Sequence, residues 1–353
     1  MSTDNPLGLS GIAFIQYASL DPGYVDGLFT PLGLSKTHKH ASRNQYYYHQ
    51  NDVHFLLDHA ETGFERAFAE QHGHSVCAMG WRVENAEKAH AEALKRGALA
   101  FSPGKCGPNS LTFPAIYGIG DSLIYFVDSP QSDRQSWLKD QGFTPLATPN
   151  IVPDKGFLFV DHLTNNVYKG TMAYWADFYK SIFGFTEVRY FDIKGAKTGL
   201  TSFALKSPCK TFSIPINEGN ESKSQIEEYL RDYRGTGVQH IALATADLLA
   251  TLDRLSEDKD GHKIPTLDID ADYYEEAFQR VPQVTEDKAH IQRHQVLIDG
   301  DAEGYLLQIF TKNLLGPIFY EFIQRKNHDA FGEGNFTALF KSIERDQERR
   351  GVL

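Results

Sequence analysis

Apolar and polar positions alternate in short runs along most of the chain, and the runs repeat. Gly11-Ile-Ala-Phe-Ile-Gln-Tyr-Ala-Ser reads as one apolar strand, and Gly156-Phe-Leu-Phe-Val-Asp-His-Leu-Thr reads as another. A helix follows each and ends near a glycine, at Leu32-Gly33 and at Phe183-Gly184-Phe185. A second pairing sets Ala78-Met-Gly-Trp-Arg-Val-Glu-Asn-Ala-Glu-Lys-Ala beside Gln239-His-Ile-Ala-Leu-Ala-Thr-Ala-Asp-Leu-Leu-Ala, each a strand, a polar cap and a helix. A third sets Asp121-Ser-Leu-Ile-Tyr-Phe-Val-Asp beside Glu303-Gly-Tyr-Leu-Leu-Gln-Ile-Phe-Thr. The pattern predicts a strand–helix–strands module about four times, two in each half. Thr144 to Pro153, with three prolines in ten residues, is the predicted linker. It divides the chain into domains 1–150 and 151–353.

The C-terminus departs from the repeat. Residues from about 335 to 348 read as a capped amphipathic helix, with Phe336, Leu339, Phe340 and Ile343 on one face. Such a helix either packs on its own domain or closes over that domain's cavity as a lid.

Composition narrows the function classes. A chain of 353 residues is long enough for two ordinary domains. It contains no run of about 18 apolar residues, so no membrane span is expected. The first residues lack the basic and apolar regions of a signal peptide. Cys77, Cys106 and Cys209 are odd in number and widely spaced, which makes neither a disulfide framework nor a metal pair. A reducing, cytoplasmic setting is the expectation. The net charge is −11 and no Lys/Arg-rich run stands out, so no nucleic-acid partner is expected. An acidic protein repels anions at long range, so an acidic ligand would need a local positive charge, for which a divalent metal is one candidate.

Three residues stand out inside apolar strands. His162 lies in Phe157-Leu-Phe-Val-Asp-His-Leu-Thr, His240 in Gly237-Val-Gln-His-Ile-Ala-Leu, and Glu321 in Gly316-Pro-Ile-Phe-Tyr-Glu-Phe-Ile-Gln-Arg325. Alternation puts His162 on a face with Leu158 and Val160, His240 with Val238 and Ala242, and Glu321 with Phe319 and Ile323. Each has a plainer reading: a core imidazole satisfied by backbone, or a glutamate on an edge or paired with arginine. A carboxylate flanked by Phe319-Tyr320 and Phe322-Ile323 is nonetheless costly to bury alone. Together, two histidines and a carboxylate make a facial triad with open positions. Chemistry alone leaves zinc, manganese and iron possible.

At these residues the chain resembles 4-hydroxyphenylpyruvate dioxygenases. The matching stretches include Val160-Asp-His-Leu-Thr-Asn-Asn-Val, Gly199-Leu-Thr-Ser-Phe-Ala-Leu, Ile214-Pro-Ile-Asn-Glu, Lys223-Ser-Gln-Ile, Gly237-Val-Gln-His-Ile-Ala-Leu, Tyr305-Leu-Leu-Gln-Ile-Phe-Thr, Phe319-Tyr-Glu-Phe-Ile-Gln-Arg and Gly334-Asn-Phe-Thr-Ala-Leu-Phe-Lys. They run in order over residues 151–350, and the likeness is fainter in the first half. The resemblance implies the vicinal-oxygen-chelate, glyoxalase-like fold: α+β, two domains of paired modules forming open half-barrels, with a C-terminal lid helix. It implies Fe(II) held by His162, His240 and Glu321 in the second domain, and a first domain without ligands. Aligning the halves puts Tyr17 near the place of His162 and Met79 near that of His240.

By the same resemblance, the substrates are 4-hydroxyphenylpyruvate and O2, and the products homogentisate and CO2. Phe310 and Phe336 would sandwich the substrate ring, with Phe331 and Phe319 beside them. Ser202, Asn217, Gln225, Gln239, Gln308 and Asn335 match polar residues around the substrate. Gln239 sits next to His240, so reaching the same cavity needs a bulge. The family suggests a homodimer or homotetramer. Three alternatives are weighed: 4-hydroxymandelate synthase, which acts on the benzylic carbon; an extradiol catechol dioxygenase; and a non-catalytic small-molecule binding protein of the same fold. Pro215 and Phe336 match the ring-attacking pattern, since a smaller aliphatic residue tends to replace that phenylalanine in the synthase.

Overall fold

The computed structural model describes residues 4–59, 61–103, 110–129, 133–194, 198–256 and 264–351. It contains two curled eight-stranded sheets, the first drawn from Leu9–Asn150 and the second from Phe157–Lys326. Their plans correspond. At the centre of each, two long strands from successive modules run antiparallel: Leu9–Ala18 with Ser75–Val83, and Phe157–Val167 with Gly237–Thr245. Each central strand has a parallel partner on its other side. These are Val53–Asp58 and Leu123–Asp128 in the first sheet, Ser213–Gly219 and Phe319–Lys326 in the second. The predicted modules are therefore present, and they meet along the central pair.

The helices form where the pattern places them. Asn85 caps Ala86–Lys95 by accepting from the Lys88 amide, and Ser224 caps Gln225–Tyr233 by accepting from that of Glu227. Helix Met172–Phe178 runs on through a π-turn at Tyr179–Phe183. It stops at Gly184, whose φ of 79° few other residues adopt.

One expectation is corrected. Much of the predicted linker is a strand, Phe143–Asn150, which pairs with Ser35–His40 at the edge of the first sheet. Its prolines fit there because an edge strand can leave one row of backbone positions without N–H donors.

The two sheets share an apolar seam. Trp81 packs against Phe183 and Phe212, with ring centroids 4.7 and 5.3 Å away. The buried hydroxyls of Tyr17 and Tyr320 lie 2.9 Å apart, so the first sheet touches the residue beside Glu321. Cys77 and Cys209 are free thiols, and Cys106 lies outside the described residues. Among the described residues no helix is long and apolar enough to cross a membrane.

Candidate metal centre

His162, His240 and Glu321 come from three neighbouring strands of the second sheet, Phe157–Val167, Gly237–Thr245 and Phe319–Lys326. The register explains their convergence. His162 pairs with Ala242, and Ala242 pairs with Glu321, so the three stand in one row across the sheet. The small side chain of Ala242 lets the outer two lean together over it. His240 stands two rows along, opposite Thr164 and Phe319. Nε2 of His162 lies 3.1 Å from Oε2 of Glu321 and 3.4 Å from Nε2 of His240, and His240 Nε2 lies 3.4 Å from the same carboxylate oxygen.

Two bulges sharpen this arrangement. Successive pairs between the central strands shift register at Val160/His162 and at Val238/His240, which leaves Asp161 and Gln239 as the extra residues. Strict alternation fails at both places. Val160 and His162 lie on opposite faces, as do Val238 and His240, contrary to the faces expected from sequence. Each extra residue reaches the ring that follows it. Asp161 Oδ2 lies 2.7 Å from Nδ1 of His162, and Gln239 Oε1 lies 3.1 Å from Nδ1 of His240. Both imidazoles are thus held by Nδ1 and present Nε2 to the centre.

Asp161 is itself gripped by Arg325, whose Nε and Nη2 donate to its two oxygens at 2.8 and 2.9 Å. The remaining nitrogen of that guanidinium donates to the carbonyls of His328 and Ala330, 3.0 and 2.6 Å away. Phe331 follows, with its ring edge-on to His162 at 5.6 Å. We expect Asp161→Ala to destabilise the chain by about 3 kcal/mol, because it strands a largely buried guanidinium. The two carbonyl contacts keep the loss at the low end of the usual range. Urea unfolding of variant and parent checks this.

The ligand triangle opens into a cavity. Phe310, Phe319, Phe331 and Phe336 line it, as do Ser202, Asn217, Gln225 and Gln239. Ser202 and Asn217 face each other across paired strands, and Asn217 Nδ2 donates to Gln239 Oε1 at 3.4 Å. Phe319 stacks on His240 at 4.8 Å, and Phe191 stands edge-on to Phe336 at 5.2 Å. Phe336, Leu339, Phe340 and Ile343, the predicted apolar face of the last helix, Phe336–Arg349, complete the wall. No lysine or arginine lines the cavity among the described residues.

Gln308 and Asn335 are not on this wall. The Gln308 amide fills the space that a side chain on Gly332 would take, and a Cβ there would fall 2.3 Å from its Nε2. Asn335 is fully buried, and its carbonyl oxygen accepts from Tyr273 at 2.6 Å and Arg280 at 3.2 Å. Sequence reasoning missed Thr164, Phe191, Ile193 and Leu200 as lining residues. Thr164 had a signal, since it stands two residues beyond His162; its hydroxyl lies 3.0 Å from His240 Nε2.

Comparison with known proteins places this geometry. Residues 3–143 match the family model described as hydroxyphenylpyruvate dioxygenase, N-terminal, and residues 159–281 match that of the glyoxalase/bleomycin resistance protein/dioxygenase superfamily. The 4-hydroxyphenylpyruvate dioxygenase of Legionella pneumophila is 42% identical over 100% of this chain and 99% of its own. The chain belongs to the 4-hydroxyphenylpyruvate dioxygenase family. Protein MelA of Shewanella colwelliana is 54% identical over 100% of this chain and 99% of its own. A solved fusion of a xylose isomerase-like TIM barrel with a 4-hydroxyphenylpyruvate dioxygenase superposes with a TM-score of 0.81 at 27% identity. That match covers 97% of this chain and 54% of the fusion. The two curled sheets are accordingly the paired half-barrels of the vicinal-oxygen-chelate fold.

Membership of the 4-hydroxyphenylpyruvate dioxygenase family implies a metal cofactor, and the three converging groups fit one. Ligand bonds of about 2.0–2.2 Å put neighbouring ligands about 2.8–3.1 Å apart on an octahedral face and about 3.3–3.6 Å apart on a tetrahedral one. The observed triangle, 3.1 to 3.4 Å on a side, falls across both. Electrostatics agree. Burial pushes the Glu321 carboxyl up, but the two imidazoles outweigh it and bring it to about 2. Burial lowers His162, yet Glu321 and Asp161 lift it to about 9. Burial likewise holds His240 below its usual value. For Asp161, burial raises the carboxyl and Arg325 and His162 more than reverse that, leaving it well below the ordinary range. Carboxylate charge thus faces the two imidazoles, an arrangement that suits a divalent cation, and cation binding would compete with protonation of His162.

Proposed function

We propose that the chain is a 4-hydroxyphenylpyruvate dioxygenase, converting 4-hydroxyphenylpyruvate and O2 to homogentisate and CO2 in tyrosine catabolism. Fe(II) would be held by His162, His240 and Glu321 in the half 151–353, while the half 1–150 supplies no ligands. The observation that carries this reading is the ligand triangle opening into a cavity of aromatic and neutral polar groups without a cationic side chain among the described residues. In such a cavity the counter-charge for a keto acid has to come from the metal. Bound ferrous iron would supply bidentate chelation of the keto acid and activation of dioxygen at the remaining open position.

The chain's own residues do the rest. Nδ1 contacts from Asp161 and Gln239 hold both imidazoles in register with Glu321. Phe310 and Phe336 orient the substrate ring, with Phe319 and Phe331 beside the ligands, and the face of helix Phe336–Arg349 excludes water as a lid. Ser202, Asn217, Gln225 and Gln239 offer the phenol neutral hydrogen-bond partners, which suits a group that needs no counter-charge. Gln308 and Asn335 act as positioning residues for the turn that starts the lid. A cytoplasmic homodimer or homotetramer completes the proposal.

The test is product identity. Iron(II) reconstitution without air, then addition of 4-hydroxyphenylpyruvate and O2, should give homogentisate. Its isomer 4-hydroxymandelate has the same mass, so chromatography with fragment-ion analysis is needed. Hydroxymandelate would indicate attack on the benzylic carbon instead, and no oxygen uptake would leave a binding protein of the same fold.

A further inference from the structure

Elsewhere in the second half, three metal-ligating side chains meet that the proposed reaction does not use, and none of them lines the substrate cavity. His290 and His294 stand four residues apart on helix Lys288–His294, so their rings project from one face, with centroids 5.0 Å apart. Asp253 comes across from helix Leu248–Ser256. Its Oδ1 lies 3.1 Å from Nε2 of His290 and 2.8 Å from Nε2 of His294. One ligand atom from each residue falls within 4.8 Å of the others. Both rings therefore point the same nitrogen at one carboxylate. An ion with bonds of about 2.0–2.1 Å needs tetrahedral ligands about 3.3 Å apart. The two carboxylate–imidazole edges, 3.1 and 2.8 Å, lie within about half an ångström of that spacing.

We infer that Asp253, His290 and His294 form a second divalent-cation site of the zinc class, bracing helix Leu248–Ser256 against helix Lys288–His294. Two imidazoles and one carboxylate favour zinc, nickel or cobalt over magnesium and calcium, which prefer all-oxygen shells. Water would take the fourth position. Access and support are both present. Asp253 is 40% exposed and His290 23%, so an ion can enter without opening the fold. His294 instead backs onto a cavity of about 210 Å³ lined by Leu252, Leu255, Ile309 and Phe322, which leaves its ring directed at Asp253. Arg293 also donates to Asp253 Oδ1 at 3.3 Å. Its charge opposes a cation and weakens the site.

Equilibrium dialysis of the full chain against micromolar Zn²⁺ tests this. The parent should bind two equivalents. His290→Ala and, separately, His294→Gln should each bind one, and His162→Ala/His240→Ala should also keep one. Zinc should raise the unfolding temperature of that double variant, and adding His290→Ala to it should remove the rise. Arg293→Gln should tighten the second equivalent several-fold. A His162→Ala/His240→Ala variant that binds no zinc, or a His290→Ala variant that binds as much as the parent, overturns the site. Both readouts are independent of turnover, so failure here is distinct from failure of the dioxygenase reading.

Discussion

Glu321→Ala should abolish turnover, with kcat/KM falling on the order of 10³-fold or more, the scale of several kcal/mol of lost electrostatic stabilisation. Metal content should fall with it. The carboxylate is the anionic corner of the triangle and sits in contact distance of both imidazoles. Removing it leaves two imidazole donors and no carboxylate facing the cation directly, since Asp161 lies behind His162 and is paired with Arg325. The fold should survive, because Glu321 makes no contact that joins the sheets; that role falls to Tyr320 on the other face. Two measurements check this together: iron per chain by elemental analysis, and oxygen uptake with 4-hydroxyphenylpyruvate. A variant that keeps stoichiometric iron and ordinary turnover would remove Glu321 from the centre and with it the triad.

Deleting the chain from Asn335 onward should also stop turnover, by about 10²-fold or more, but with iron binding intact. The reasons are separable in space. All three ligands lie on sheet strands, whereas Phe336, Leu339, Phe340 and Ile343 form only the outer wall of the cavity. The helix is fastened along its length rather than by its apolar face alone. Glu344 accepts from the Thr198 amide at 3.0 Å, Gln347 donates to Glu228 at 2.7 Å, and Arg349 pairs with Asp268 at 2.8 Å. Arg345 and Arg350 add pairs with Asp270 and Glu228. Without the helix, water would enter and the cavity would lose Phe336 from its wall. Normal activity in the truncated chain would sink the lid reading; lost iron would show that the helix supports the ligands as well.

Much of this site could be read from the residues. Glu321 announced itself by its aromatic neighbours, and both histidines by their place in apolar strands. The last helix declared its buried face through four positions at helical spacing. The bulges did not show, because a bulge belongs to a pair of strands and not to either one. Asp161 and Gln239 become extra residues only when strands some 80 positions apart are laid in register. That is why alternation mispaired His162 with Val160, and why Gln239 needed special pleading to share a cavity with His240. Phe143–Asn150 misled for a different reason. Its prolines break a central strand but are harmless on an edge, and edge position depends on the finished sheet. Gln308 and Asn335 are polar and close to the cavity in sequence, yet the Gln308 amide packs over Gly332 and the Asn335 carbonyl oxygen accepts from Tyr273 and Arg280.

The seam at Trp81 has a consequence for any attempt to make a smaller catalyst. Cutting the chain between its halves would lay bare the indole together with Phe183, Phe185 and Phe212, and would strip the Tyr320 hydroxyl of its Tyr17 neighbour. Freed fragments would meet through those sticky surfaces instead of staying dispersed. The first sheet thus acts as a standing cover for the apolar flank of the second.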